Sequence, residues 1–330
     1  MTAPTASAAT EARPRIIAIE EHFQLREITE MIDVGQPRWI KERLFDFTTT
    51  RLREMDEAGV DLQVLSIQAP GTHRFDAETA VRMARRANDH LHERVRDNPN
   101  RFAGLAAIPI QEPVAAGDEL ERAVTELGFV GCVLHSMTNG RFADTREFWP
   151  FYERAAALGV PIYLHPSRPH QAVVDAYYAD YADDYRQLTS AGWGYTVEGA
   201  TMAVRLLLSG VTEAYPDLQF VLGHMGEGLP FLLWRIDWSF KRAGNKEIAF
   251  RDAFCRHFHI TTSGNFSDTA LQCAMMEMGA DRILFAVDWP FVPNQAGVDW
   301  IRNVRISEED RAKIMSGNAR RLFGIGASGC

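Results

Sequence analysis

Short apolar runs alternate along this chain with longer stretches in which apolar residues recur every three or four positions. The short runs lie at 16–20, 63–67, 104–108, 130–134, 161–165, 219–223, 257–262 and 283–287. Their near-continuous apolar character suits strands covered on both faces. The longer stretches lie at about 51–58, 76–97, 114–127, 146–158, 198–214, 228–243, 267–278 and 307–323 and read as amphipathic helices. Several end at a glycine, in "EAGV", "ELGF", "ALGV" and "EMGA", where a left-handed C-cap can stop the helix before the next strand. Eight strands alternating with eight helices predict an α/β fold of the (β/α)8 TIM-barrel type. A doubly wound open sheet is the competing architecture. It usually has fewer strands and a Gly-rich first turn, and the turn after 16–20 has no glycine.

Two connections are long, at 23–50 and at 166–197, the latter with the run "VVDAYYADYADDY". No internal repeat or linker divides the chain. The reading is therefore one barrel domain over 15–325 with two inserted loops. The segment 1–14, MTAPTASAATEARP, reads as a disordered tail, and 326–330 as a short C-terminal tail.

Composition narrows the setting. The chain is 46% hydrophobic and 24% charged with a net charge of -9, which leaves no basic footprint for nucleic acid or an anionic membrane surface. No apolar run approaches the ~18 residues of a membrane span. Cys132, Cys255, Cys273 and Cys330 are far apart and form no C-x-x-C pair, which predicts reduced thiols and a cytoplasmic protein.

In such a barrel the C-terminal ends of the strands converge on one mouth. The first run ends Glu20-Glu21-His22, the fifth at His165, the sixth in "VLGHMGEG" with His224, and the eighth at Asp288. These residue types bind divalent metals and move protons. Side chains alternate along a strand, so Glu20 and His22 share a face and Glu21 points elsewhere, as a solvated or hydrogen-bonded neighbour. Glu20-x-His22 can form a two-pronged claw that His165 and Asp288 close from across the barrel. His90 and His92 lie on a helix without sharing a face, and His257-x-His259 opens its strand, at the barrel floor. His73, His135 and His170 follow strands and are candidates for the pocket wall. Trp234 and Trp238 read as helix packing. The four lysines, Lys41, Lys241, Lys246 and Lys313, end no predicted strand. That argues against a Schiff base and against a carboxylated lysine bridging two metals, so a single ion is expected. G-x-S-x-G, P-loop and G-x-G-x-x-G motifs are absent.

These strand-end residues, in this order, resemble the amidohydrolase superfamily, and more narrowly its metal-dependent, non-oxidative decarboxylases of o-hydroxybenzoates, of the γ-resorcylate (2,6-dihydroxybenzoate) type. The resemblance spans nearly the whole chain after about residue 15. It rests most specifically on "IAIEEHF", "GVPIYLHP", "LLLSGVTEAYPDLQFVLGHMGEGLPFLLWRID" and "DWPF". An opening Glu-x-His, where amide-hydrolysing members usually have His-x-His, favours the decarboxylases. The resemblance implies Glu20, His22, His165 and Asp288 as ligands of one divalent ion, Mn2+ or Zn2+. It implies His224 as a catalytic histidine oriented by Glu227, and Asp288 also as the proton donor to the ring carbon. It puts Arg235 on the substrate carboxylate, with Phe23, His135 and Phe291 in the substrate pocket. Two positions depart from the pattern: His135 stands where asparagine is more usual, and Val292 where an acid is common. The implied partner is a small aromatic carboxylate, and the implied assembly is a homodimer or homotetramer with the Arg235 helix near the contact. The alternatives are a metal-dependent hydrolase or hydratase of the same superfamily, with His224 activating water, and a non-enzymatic scaffold.

Overall fold

The structure is a computed structural model, and it describes residues 15–32 and 34–326. The tail expected at 1–14, and all but the first residue of the one expected at 326–330, lie outside those residues.

Eight parallel strands follow one another around a single sheet in sequence order. They are β1 (Ile17–Phe23), β2 (Leu62–Ile67), β3 (Phe102–Ala107), β4 (Gly131–His135), β5 (Ile162–His165), β6 (Phe220–Leu222), β7 (Phe258–Thr261) and β8 (Ile283–Leu284). Each is buried along nearly its whole length, which is why the sequence shows apolar runs rather than alternation. The Ile19 N–H donates to the Phe285 carbonyl at 3.0 Å and the His22 N–H to the Trp289 carbonyl at 2.8 Å. These bonds join the first strand to the last and close the (β/α)8 barrel.

The layer outside the strands contains α1 (Thr50–Ala58), α2 (Ala77–Asp97), α3 (Pro113–Thr125), α4 (Trp149–Leu158), α5 (Gly194–Ser209), α6 (Leu229–Phe240), α7 (Phe250–His257), α8 (Asp268–Met278), α9 (Asn294–Asn303) and α10 (Asn318–Phe323). Gly59 and Gly159 cap α1 and α4 at φ 85° and 65°, left-handed values that glycine adopts without a Cβ penalty. The helix expected over 198–214 is interrupted by Gly210, also left-handed at φ 85°. The two inserted segments are partly helical, with short turns at Arg26–Met31, Arg38–Leu44, Ala179–Ala182 and Arg186–Thr189. Trp234 and Trp238, expected to pack the helix layer, are instead exposed on α6, with their rings stacked 5.8 Å apart.

Candidate metal centre at the barrel mouth

β1 carries a register shift between Ile19 and Glu21, and Glu20 sits at φ 83°. A left-handed non-glycine residue costs about 1–3 kcal/mol, so such a backbone persists only when its surroundings over-determine it. The displaced strand turns the Glu20 carboxylate into the barrel. There the Thr261 hydroxyl donates to Oε2 at 3.0 Å. Gly223 leaves the room: a Cβ at that position would meet both carboxylate oxygens at 3.0 Å. Asp288, beyond the short β8, is also left-handed, at φ 80°.

The imidazoles are oriented by their far nitrogens. His165 Nδ1–H donates to the Pro166 carbonyl at 2.7 Å, and His22 Nδ1 lies 3.3 Å from Ser66 Oγ. Both Nε2 atoms are thereby turned inward, in the way that partners of the outer nitrogen orient ligating histidines. One donor atom each from Glu20, His22 and His165 lie within 4.8 Å of one another. Asp288 Oδ1 stands 3.1 Å from His22 Nε2. Glu20 Oε1 and His22 Nε2 are buried and make no hydrogen bond. Buried polar atoms are nearly always paired. Two such atoms converging from different residues, with a neutral imidazole beside them, fit a divalent cation, and mixed oxygen and nitrogen donors suit Mn2+ or Zn2+.

Charge is arranged accordingly. Burial, then the His22 ring, holds His165 down to about 3, neutral and able to ligate. Burial disfavours the Glu20 charge, but His224, His165 and His22 outweigh it and lower its pKa. Burial raises Asp288, against the pull of His22. His224 Nδ1 lies 2.7 Å from Glu227 Oε1, and its Nε2 lies 3.4 Å from Glu20 Oε1. Burial works against its protonation, yet Glu227 and Glu20 carry it well above the ordinary imidazole value.

The remaining candidates separate. Phe291 places its ring 5.9 Å from His22, at the mouth. His135 is buried with both ring nitrogens unpartnered, 5.5 Å from the His165 ring and 4.8 Å from that of His73. His73 is itself buried, 3.0 Å from Thr138 Oγ1, so it is no open pocket wall. His170 is exposed and accepts from the Ala172 N–H. Phe23 points away from His22 and packs in the core against Phe47, at 5.8 Å. Arg235 is exposed on α6.

Further neighbours complete the site, most of them without a mark in the chain pattern. Of the two states expected for Glu21, solvated or hydrogen-bonded, the second holds: it is fully buried and accepts from the Val287 N–H at 2.9 Å and the Trp289 N–H at 3.0 Å, the residues on either side of Asp288. Arg51 stacks over the Trp289 ring at 3.9 Å and donates to the His22 carbonyl at 2.5 Å. Asking what every strand ends with, β2 and β7 included, finds Ser66 and Thr261. Same-face spacing from His165 finds Tyr163, whose hydroxyl crowds the same Gly223 Cβ position as Glu20. Nothing local points to Arg51.

A (β/α)8 barrel whose strand ends gather a carboxylate and imidazoles around one point defines a metal-site barrel enzyme. The chain belongs to the amidohydrolase family, whose model matches residues 25–325. It is 42% identical over 326 residues to a γ-resorcylate decarboxylase of Polaromonas sp. strain JS666, covering 93% of this chain and 98% of the relative. Among solved structures it resembles a 2,6-dihydroxybenzoate decarboxylase complexed with 2,6-dihydroxybenzoate, with a TM-score of 0.87 and 39% identity over 94% of this chain and 99% of the other. It also resembles a dihydroxybenzoic acid decarboxylase from Polaromonas sp. JS666 with bound manganese and the inhibitor 2-nitroresorcinol, with a TM-score of 0.86 and 41% identity over 94% and 97%. These relatives are carboxy-lyases, the enzyme class that the family resemblance implies.

Proposed function

We propose that the chain removes CO2 non-oxidatively from an o-hydroxybenzoate of the γ-resorcylate type. The observation that carries this reading is geometric: donor atoms of Glu20, His22 and His165 lie within 4.8 Å of one another at the barrel mouth, with the Asp288 carboxyl 3.1 Å from the His22 ring. Glu20, His22, His165 and Asp288 would hold one divalent ion, Mn2+ by preference and otherwise Zn2+. When bound, that ion supplies a template that fixes an ortho-hydroxybenzoate and favours its phenolate form.

The chain's own residues do the rest. Loss of CO2 directly from a ring would leave an electron pair in the ring plane. Asp288 avoids that by giving its proton to the carbon bearing the carboxylate. The C–C bond then breaks, its electrons restore the aromatic ring, CO2 leaves, and solvent returns a proton to Asp288. His224, held by Glu227, supplies positive charge beside Glu20. Phe291 and His135 bound the ring. Arg74 and Arg168 follow the mouth ends of β2 and β5 and are exposed, so cations stand on the same rim as the acid and suit an anionic substrate.

The α6 face with Phe231, Trp234 and Trp238 is the surface we assign to a homodimer or tetramer contact. Arg235 shares that exposed helix, so a carboxylate contact by it would reach the substrate of a neighbouring copy. Free thiols at Cys132, Cys255 and Cys273 suit a cytoplasmic setting. Among the described residues no helix is long and apolar enough to cross a membrane.

The test is metal-reconstituted protein offered 2,6-dihydroxybenzoate, with CO2 and resorcinol measured beside the ion content. Equimolar CO2 and resorcinol, with about one ion per chain, is expected. Turnover of lactones or amides without CO2 release would overturn the reading in favour of a hydrolase.

A further inference from the structure

A second group of cationic and imidazole side chains sits at the other end of the barrel. Pro161 precedes β5, Gln219 precedes β6, His259 is the second residue of β7, and Arg282 immediately precedes β8. All four line a cavity of about 450 Å3. It lies where the strands begin, whereas Glu20, His165 and Asp288 lie where they end. That floor ordinarily serves stability in this fold, not chemistry.

The lining says what the cavity would take. Arg282 Nη1 donates to Gln219 Oε1 at 2.8 Å. The nearby Asp281 is engaged elsewhere, 3.5 Å from Lys313 Nζ and 3.7 Å from Arg321 Nη2. Among the described residues Arg282 has no ion pair of its own, and burial works against its charge. His259 shares a face with Thr261, two residues on, so its ring points into the lower end of the barrel. It is 6% exposed, and its Nδ1 is buried without a partner. Burial, with Arg282 and Arg321 nearby, keeps the ring neutral, at about 3. It can therefore donate or accept without adding a second full charge. Val160, Pro161 and Leu218 give apolar wall, and Arg321, which shares Asp281 with Lys313, adds a second guanidinium at the edge. Asp217 and Asp281 also line the cavity, but both are exposed to solvent, which screens them. A guanidinium short of a counter-charge, an imidazole and apolar walls in a volume of drug-pocket size match a small anion with an apolar body.

We propose that the floor cavity binds a small organic carboxylate, its charged end on Arg282 with His259 and Arg321, and its apolar body against Val160 and Leu218. This site is separate from the mouth and does not depend on the decarboxylase reading.

The probe is 4-fluorobenzoate, titrated into the metal-loaded holoenzyme and followed by 19F NMR. The expected result is a saturable bound resonance that survives His165→Ala at the mouth and loses at least tenfold in affinity in Arg282→Gln. Ala156→Phe, which fills the cavity from α4 and removes no charge, should have the same effect and decides the matter if Arg282→Gln does not fold. The proposal is overturned if no saturable resonance appears, or if every bound resonance is indifferent to both floor variants.

Discussion

Asp288 is pulled two ways, upward in pKa by burial and by Glu20, downward by the His22 ring 3.1 Å away, and the net direction is upward. A carboxyl can take up a proton and deliver it; an amide in the same place cannot. Metal-loaded Asp288→Asn should therefore lose about 10²–10⁴-fold in turnover of 2,6-dihydroxybenzoate while still binding it. Steady-state CO2 release read against ion content checks this, and turnover within a few-fold of wild type would pass the proton role to His224. His73 gives a different test. Burial lowers its pKa from 6.5 to about 3, so the unfolded chain binds the extra proton in that window and the folded chain does not. Stability should then fall as pH drops from about 6.5 toward 3, by up to about 1.4 kcal/mol per pH unit for this one residue. His73→Asn should flatten that slope in urea titrations at pH 4, 5 and 6; an unchanged slope would show that His73 is not the source. The residues that the sequence exposes are those whose chemistry contrasts with their surroundings, such as Glu20, His22 and His165 at the ends of apolar runs. Tyr163 and Thr261 reach the same carboxylate but look like ordinary strand residues, because aromatic and β-branched side chains are what strands contain anyway.

At the scale of elements, the end of β1 grips the end of β8. Glu21 accepts both backbone N–H groups that bracket the left-handed Asp288, and Arg51 packs on Trp289 behind them. Glutamine at position 21 has a single acceptor oxygen, and its amide N–H2 would face the second donor. Glu21→Gln should cost about 1–3 kcal/mol of stability and weaken metal retention together with it. Denaturant midpoints and an ion-binding titration on the same protein test the link; lost stability with unaltered ion affinity would make the grip structural only. The order of strands and helices was readable because continuous apolar runs and glycine C-caps are local signals. Strand lengths were not. β8 ladders regularly with β7 over Ile283–Leu284 alone, and the buried apolar run on through Val287 is held by separate bonds, from the Ile19 N–H to the Phe285 carbonyl and from the Gly264 N–H to the Val287 carbonyl. The β1 register shift is likewise invisible locally, since what accommodates the displaced Glu20, the Thr261 hydroxyl and the space at Gly223, lies far along the chain.

For the whole molecule, α6 presents Phe231 at 82% exposure, Trp234 at 68% and Trp238 at 56%, a patch that a solitary chain would leave in water. Covered by a second copy, it would form an isologous contact. Light scattering after size exclusion should give a dimer or tetramer, and Trp234→Glu should shift it toward monomer; a monomeric wild type would remove the assignment. The barrel seam has a further consequence. Glu21 meets its two partners across sequence separations of 266 and 268 residues, and the proposed ion would span the same join, from Glu20 and His22 to Asp288. During synthesis on the ribosome the first two ligands emerge early and wait for the last. A chain halted before its eighth strand can gather only part of the donor set, so loading would discriminate finished molecules from interrupted ones.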